Sequence, residues 1–274
     1  METSYQNAIS FVKNHYENFP VASYFIKKKL RKHVAIVYQF ARQADDIADE
    51  GDLLDKERIK QLNEYEQALT DSLNEKFENN FWKALKNTID TFNLSTDNFY
   101  NLLNAFKQDI TKNRYIDFED LLNYCRQSAN PVGRIILELH NIIDENALKY
   151  SDDICTALQL TNFYQDVSVD IKKGRIYIPQ NELDEFEVDE LVFEKNEINT
   201  NFTRLIKFQI DRTEKLFING RNLLKYLPLL LKLEILLTIK GGEAILNKIA
   251  KNKYDVLNVR PSLTKFDFVK MFLT

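Results

Sequence analysis

Apolar residues recur at intervals of three and four along most of the chain, a spacing that places them on one face of an α-helix. Glycine and proline, which separate short strands, are scarce, with only 6 Gly and 5 Pro in 274 residues. The pattern therefore predicts an all-α protein. The predicted helices cover residues 4–16, 29–50, 55–71, 80–92, 96–111, 118–142, 146–171, 198–226 and 229–251, with a short one near 264–273.

The chain shows no internal repeat and no linker, so residues 1–274 are expected to form one domain. An acidic stretch from Glu182 to Glu197 is expected to be a loop or a solvated connector. The net charge of -4 gives no reason to expect nucleic-acid binding. The two cysteines, Cys125 and Cys155, match neither a disulfide framework nor a zinc site. They suit a reducing cytoplasm.

The N-terminal sequence METSYQNAIS lacks the basic and apolar regions of a signal peptide. The apolar run YLPLLLKLEILLTI is interrupted by Lys232 and Glu234, and a bilayer-spanning helix needs about 20 apolar residues. We expect a cytoplasmic protein. The same run allows two interpretations, an ordinary buried helix or an amphipathic surface that contacts the inner face of a membrane.

One polar stripe follows the predicted helix 29–50. Its members are spaced by four, three and four residues, so they share one face. They are Tyr38, Arg42, Asp45 and Asp49. The rest of this helix is nearly all apolar, which is typical of a buried helix, so the stripe is expected to face an interior cleft. Glu50 and Asp52 are expected to mark the point where the helix reaches water.

A second stripe follows the predicted helix 146–171, with spacings of three, four and four. It consists of Gln159, Asn162, Asp166 and Asp170. The surrounding residues are again apolar, so this is expected to be a second buried helix that carries a second Asp-x-x-x-Asp pair on its inner face.

Buried carboxylates are unfavourable unless they are paired or bind a metal ion. Divalent cations between the stripes would relieve the repulsion, and carboxylate oxygens favour Mg²⁺, which also binds substrate phosphates. The sequence therefore predicts Mg²⁺ and a diphosphate substrate whose departure the metal assists. The basic residues near the acids in sequence, which could contact the diphosphate, are Arg42, Lys172, Lys173 and Arg175.

The acids allow other interpretations. A single Asp-x-x-x-Asp on a helix is usually a solvated face or a cap, but two on apolar helices favour a site. A di-iron bundle needs paired Glu-x-x-His motifs, and none of the three histidines has Glu three residues before it. The glycines match neither a phosphate-binding loop nor a dinucleotide fingerprint.

The segments FARQADDIADEGD and LTNFYQDVSVDIKKGRIYIP resemble the two aspartate-rich motifs of the squalene and phytoene synthase family. The segments HYENFPVASYFI, YCRQSANPVGRIIL and YDVLNVRPSL also resemble the family, and more narrowly its bacterial hopanoid-pathway hydroxysqualene synthases. The resemblance implies an all-α isoprenoid (prenyl) synthase bundle around a central cavity.

The resemblance also implies roles for particular residues. Mg²⁺ would be held through Asp45, Asp49, Asp166 and Asp170. The substrate-binding positions would be His15, Arg42, Tyr124, Gln159, Asn162, Gln165, Lys173, Arg175, Tyr254 and Arg260, with Tyr38 and Tyr254 lining the cavity. A structural role for His15 is an equal alternative. The rings beside the motifs are further cavity candidates, namely Phe19, Phe40, Phe163 and Tyr164.

One residue departs from the family pattern. Relatives that condense two farnesyl diphosphates usually carry Arg directly before the first Asp of the second motif, and this chain has Gln165. The lost charge should weaken binding of a second diphosphate. The resemblance then implies conversion of presqualene diphosphate and water to hydroxysqualene and diphosphate, with a partner enzyme that supplies presqualene diphosphate. The alternatives are a condensing synthase that makes presqualene diphosphate, squalene or dehydrosqualene, and a non-catalytic scaffold.

Overall fold

The computed structural model describes residues 1–14, 26–264, 266–267 and 271. These residues form helices and contain no β-strand, which confirms the predicted all-α class. The α-helices are α1 (Glu2–Asn14), α2 (Lys28–Asp49), α3 (Asp55–Leu73), α4 (Asn80–Phe92), α5 (Thr96–Thr111), α6 (Phe118–Ser128), α7 (Asn130–Leu139), α8 (Glu145–Gln165), α9 (Val167–Asp170), α10 (Gln180–Glu185), α11 (Leu191–Lys195), α12 (Thr200–Gly220) and α13 (Leu229–Lys251). Two 3-10 helices cover Ile171–Lys173 and Arg221–Lys225.

The chain divides into two compact units, each built from several stretches of sequence. Unit 1 contains Met1–Thr111, Pro131–Asp144 and Pro228–Glu234. Unit 2 contains Lys112–Asn130, Glu145–Leu227 and Ile235–Thr274. The single-domain organisation stays a prediction.

Helix α2 is the central element of unit 1, where it packs against α1, α3, α4 and α5. Its fully buried Phe40 contacts the rings of Tyr65, Trp82 and Phe99, with ring centroids 5.3–6.2 Å apart. Phe40 is therefore part of the core of this unit rather than the cavity ring that the sequence suggested. This packing fixes the helix that carries the first acidic motif.

Unit 2 is organised around the pair α8 and α12, which pack along each other. Gly220, at the end of α12, allows a close approach, because a Cβ there would lie 2.5 Å from the Ile154 side chain and 3.2 Å from its main-chain nitrogen. The α12 helix begins at a side-chain cap, where Asn199 accepts a hydrogen bond from the Phe202 amide at 2.8 Å. These contacts position α8, which leads into the second acidic motif.

Three local differences from the predicted helices have physical causes. The predicted helix 118–142 is two helices, because Pro131 has no N–H to continue α6 and suits the first turn of α7. The predicted helix 146–171 is interrupted at Asp166. The predicted acidic connector contains the short helices α10 and α11, with Leu183, Val192 and Phe193 buried.

The first turn of α13 exposes apolar side chains. Leu229, Leu230 and Leu233 are 71%, 41% and 38% exposed, whereas Leu231 and Glu234 are buried. This part of the helix is therefore only half buried. Among the helices of the described ranges, none is both long enough and apolar enough to cross a bilayer.

Candidate active site

The first acidic motif lies on the last three turns of α2. Arg42 is its centre, with its guanidinium 3.3 Å from the Asp45 carboxylate, 2.6 Å from Asp46 and 2.6 Å from Glu50. The i,i+3 and i,i+4 spacings bring these groups together on the helix surface. One cation thus serves a cluster in which Asp49 adds a further carboxylate.

The carboxylates of this motif repel one another. Burial raises the pKa of Asp45 to about 6, with Arg42 opposing the shift and the acids Asp49, Asp46 and Glu50 adding to it. A raised pKa means that negative charge is unfavourable at this position in the absence of a further cation. A divalent cation is a natural complement to such a cluster.

The predicted burial of the first motif is only partly correct. The Asp45 side chain is 41% exposed, and Asp49 is exposed outright. The expectation of a buried pair is therefore wrong for Asp49, although both acids do lie on one face of α2. Glu50 and Asp52 are exposed just beyond the end of the helix, as predicted. Tyr38 is half buried, and its ring centroid lies 6.5 Å from that of Phe11.

The second acidic motif spans the interruption between α8 and α9. The amide of Asp166 donates to the Asn162 carbonyl at 2.9 Å, and the amide of Asp170 donates to the Asp166 carbonyl at 2.9 Å. Because these i to i-4 bonds continue through the break, Asp166 and Asp170 keep the one-face spacing of a helix. Both side chains are half buried, so the expected full burial is wrong here too.

Two residues at this motif contact a distant segment of the chain. The Gln165 side-chain amide donates to the Pro261 carbonyl at 2.7 Å. Arg260 forms an ion pair with the Asp166 carboxylate, and this hydrogen bond raises the Arg260 pKa. A guanidinium therefore lies on Asp166, although the residue directly before it is uncharged.

The segment after Asp170 reverses direction at Gly174, which has φ +74° and ends the 3-10 helix. The Arg175 amide then donates to the Asp170 carbonyl at 2.9 Å. Lys173 is exposed in this turn, and Arg175 is half buried. Asp170 and Arg175 both line a small cavity of about 10 Å³, roughly the space of one water molecule.

Aromatic rings cluster at the small cavity lined by Asp170 and Arg175. Phe163 stacks on Tyr177 with centroids 3.8 Å apart and planes 8° from parallel. Tyr124 is buried and lies 6.0 Å from Phe163 and 6.2 Å from Tyr177. Tyr164 is buried as well and receives a hydrogen bond from the Thr213 hydroxyl at 3.3 Å. Sequence reasoning missed Tyr177, although its place two residues after Arg175 in RIYIP was a usable signal.

The remaining predicted site residues differ in exposure. On α8, Gln159 is half buried and Asn162 is exposed. Tyr254, half buried, follows α13 in a left-handed conformation with φ +63°. His15 and Phe19 lie outside the described residues, so their predicted roles stay predictions.

The donor set fits Mg²⁺ rather than a soft metal. In the described ranges, no group of three or more His, Cys, Asp and Glu side chains is preassembled as a metal cage. Each motif instead offers a pair of carboxylates, and Mg²⁺ commonly takes one or two carboxylates together with waters and substrate phosphates. The crowded acids around Asp45 are the observation that fits such an ion.

Comparisons with known proteins agree on one family. The sequence profile described as squalene/phytoene synthase matches residues 12–267, so the chain belongs to the squalene/phytoene synthase family. The family resemblance inferred from the motifs is confirmed.

Two relatives are named hydroxysqualene synthase. That of Zymomonas mobilis is 40% identical over 166 residues, which are 60% of this chain and 54% of that protein. That of Sinorhizobium fredii is 36% identical over 170 residues, 61% of this chain and 56% of that protein. The chain thus spans about half the length of these relatives in the matched regions.

Solved structures support the fold over a longer range. The crystal structure of squalene synthase HpnC from Alicyclobacillus acidocaldarius matches with a TM-score of 0.87 at 35% identity, covering 92% of this chain and 95% of that one. A dehydrosqualene synthase in complex with a ligand matches with a TM-score of 0.87 at 22% identity, covering 99% and 95%. The second match shows the same fold. The predicted isoprenoid synthase bundle is confirmed.

Proposed function

We propose that this chain is a Mg²⁺-dependent isoprenoid synthase that converts presqualene diphosphate and water to hydroxysqualene and diphosphate. The observation that carries the proposal is the pair of complete Asp-x-x-x-Asp motifs, each with an arginine on its acids, Arg42 on the first and Arg260 on the second. Membership of the squalene/phytoene synthase family and relatives named hydroxysqualene synthase support the same activity.

In this proposal the acids bind the metal and the basic residues bind the diphosphate. Mg²⁺, when bound, would neutralise the charge that develops on the leaving diphosphate. Arg42 and Arg260 now neutralise carboxylates and would be released to contact phosphate oxygens, for which guanidinium geometry is well suited. Lys173 and Arg175, which closely follow Asp170 in the chain, would add positive charge at the second motif.

The cluster of aromatic rings in unit 2 is suited to stabilising a carbocation intermediate. Ring faces attract cations, and Phe163, Tyr177 and Tyr124 form a contiguous apolar cluster next to Arg175. Such rings would also keep bulk water away while the cyclopropylcarbinyl cation rearranges. Water would then trap the allylic cation to give the alcohol.

Gln165 supports presqualene diphosphate as the substrate. Its amide is uncharged and is engaged with the Pro261 carbonyl, so it adds no charge for a second diphosphate. The rival activity is condensation of two farnesyl diphosphates to presqualene diphosphate, squalene or dehydrosqualene. Arg260 keeps this rival open, because it brings one positive charge to the second motif.

Product analysis tests the proposal. Purified protein with Mg²⁺ would be given farnesyl diphosphate or presqualene diphosphate in separate reactions, each with and without NADPH. Consumption of presqualene diphosphate alone, with hydroxysqualene formed without NADPH, is the expected result. Consumption of farnesyl diphosphate would establish a condensing synthase instead. Asp166→Asn serves as a matched inactive control.

A non-catalytic scaffold is the third candidate. Inorganic pyrophosphate should raise the melting temperature only when Mg²⁺ is present, because the acids and the anion need the cation to bind together. A scaffold without a working site would show no such stabilisation.

We propose two further features of the cellular setting: a partner enzyme that supplies presqualene diphosphate, and peripheral membrane contact. The exposed Leu229, Leu230 and Leu233, beside the exposed Lys232, are suited to an anionic lipid surface. Co-sedimentation with anionic vesicles should fall when Leu229 and Leu230 are changed to Ser, and equal binding would reject this contact.

A further inference from the structure

Arg58 caps the end of the helix that carries the first acidic motif. This side chain belongs to the first turn of α3, and the residue is only 9% exposed. All four of its hydrogen bonds go to main-chain carbonyls: Nη1 to Ile47 at 3.0 Å and Glu50 at 2.9 Å, Nη2 to Gly51 at 2.6 Å, and Nε to Leu53 at 3.1 Å. One guanidinium therefore holds the last turn of α2, the following turn and the start of α3.

The end of α2 has a specific need for such a cap. The last four carbonyls of a helix lack intrahelical partners, and they form the negative end of the helix dipole. Acidic side chains are unfavourable there, yet Asp45, Asp46 and Asp49 occupy the final turns and Glu50 follows them. The α2 helix has no basic residue in its last turn, so the capping charge comes from α3. Without it, the turn that carries Asp49 would fray.

The turn beyond the helix adds to this requirement. Gly51 has φ +77°, a left-handed conformation that reverses the chain directly after Glu50. The Arg58 side chain donates to the carbonyls of Glu50 and Gly51 on either side of that reversal. The distance between the Asp45 and Asp49 carboxylates depends on α2 remaining helical to its last residue, because i,i+4 neighbours meet only on a regular turn.

We propose that Arg58 is a positioning residue for the first acidic motif, holding the last turn of α2 so that Asp45 and Asp49 bind Mg²⁺ as a pair. This inference rests on the proposed function. Arg58 acts through the main chain.

The test compares Arg58→Met and Arg58→Lys with the intact protein. Lysine keeps the charge but cannot present a planar set of donors to several carbonyls. The effects of Arg58→Lys should therefore be intermediate between those of the intact protein and Arg58→Met. Asn199→Ala is the control, because it removes the cap of α12 in the other unit and lowers stability without touching α2.

Two readouts are needed. Amide hydrogen exchange in the absence of metal should become at least about tenfold faster at residues 47–51 in Arg58→Met, and remain unchanged there in Asn199→Ala. Calorimetric titration of Mg²⁺ in the presence of inorganic pyrophosphate should show affinity weakened by about 10–100-fold in Arg58→Met, as for other groups that orient metal ligands. Arg58→Lys should recover part of both.

The possible outcomes distinguish a failure of the positioning role of Arg58 from a failure of the proposed function. Unchanged exchange in Arg58→Met would show that the cap does not hold α2. Faster exchange with unchanged Mg²⁺ affinity would reduce Arg58 to a structural residue and overturn the positioning role. If the intact protein itself fails to bind Mg²⁺ with pyrophosphate, the proposed function fails and the inference falls with it.

Discussion

The ion pair between Glu182 and Arg212 offers a direct test of how the segment after the second motif is held. Glu182, in the first turn of α10, has a side chain only 6% exposed, and it pairs with Arg212 of α12 and accepts from Gln209 at 2.9 Å. The Arg212 guanidinium also lies 3.4 Å from the centroid of the Phe118 ring. We expect Glu182→Leu to be strongly destabilising, because it leaves Arg212 without its carboxylate.

The magnitude follows from the burial of the two partners. Removing one member of a buried pair costs about 3–5 kcal/mol, and the 20% exposure of Arg212 favours the lower end, about 3 kcal/mol. For a chain of this size that corresponds to a melting temperature about 5 °C lower. The double variant Glu182→Leu with Arg212→Met should recover part of the loss, because it leaves no unpaired charge in the interior, although the buried Gln209 amide still loses its acceptor.

Thermal and urea unfolding of the two single variants and the double variant complete the cycle. The reasoning would be refuted if Glu182→Leu cost less than about 1 kcal/mol, or if the double variant were no more stable than the single one. We expect the segment after the second motif to be affected as well, because the Ile176 amide in that segment and the Gln180 amide at the start of α10 donate to the Asn113 and Tyr115 carbonyls.

Three further predictions concern other parts of the molecule. Burial and Lys32 lower the pKa of His33, so its contribution to stability is complete above pH 6.5 and is lost as the pH falls below that value. The variant His33→Gln should therefore flatten the acid limb of a profile of stability against pH. An unchanged acid limb would contradict this. With EDTA at pH 8, Asp45→Asn should raise the free energy of unfolding by about 1 kcal/mol. This figure is smaller than the full effect of the pKa shift because the Asp45 side chain is 41% exposed. Turnover with Mg²⁺ should fall, and a less stable variant would refute the view that negative charge is unfavourable at this position. Gly174→Ala should lower the free energy of unfolding by about 1 kcal/mol through the φ of +74° alone, because no atom lies within 4 Å of the added Cβ. Gly174→Asn should lower it less, since Asn tolerates this conformation better. Equal losses in thermal unfolding would indicate a side-chain contact instead.

The helical periodicity predicted most of the fold because α-helices leave a regular apolar face. It failed in two situations, where one residue overrides the period and where the apolar pattern is very short. Pro131 divides a predicted helix, and the apolar pattern of Leu183 and Phe193 is too short to distinguish α10 and α11 from a loop. Such short helices depend on tertiary contacts, as the pair of Glu182 with α12 illustrates.

The sequence predicted where the acidic residues lie on their helices better than it predicted how exposed they are to solvent. Spacing alone placed Asp45 with Asp49, and Asp166 with Asp170, each on one helix face. Exposure depends on neighbouring elements that a periodicity does not specify, so the expected burial was wrong for Asp49. The roles of these acids in binding Mg²⁺ stay predictions.

Contacts between distant segments were beyond the sequence. The bond from Gln165 to Pro261 produces no periodic pattern in the sequence, because it depends on a single donor that meets a folded main chain. The four local bonds from Arg58 to main-chain carbonyls produce no such pattern either. At Gln165 the sequence shows only that a positive charge is missing. The structure adds that its amide engages a segment 96 residues later.

That long-range engagement has a consequence for the order in which the protein matures on the ribosome. Asp166 and its arginine partner, Arg260, are separated by 94 residues, so Asp166 is synthesised long before the group that neutralises it. A nascent chain that has just completed α9 carries the acids of both motifs with Arg260 still to be translated. The ion pair at the second motif can therefore form only after Arg260 has been synthesised, however early the individual helices form.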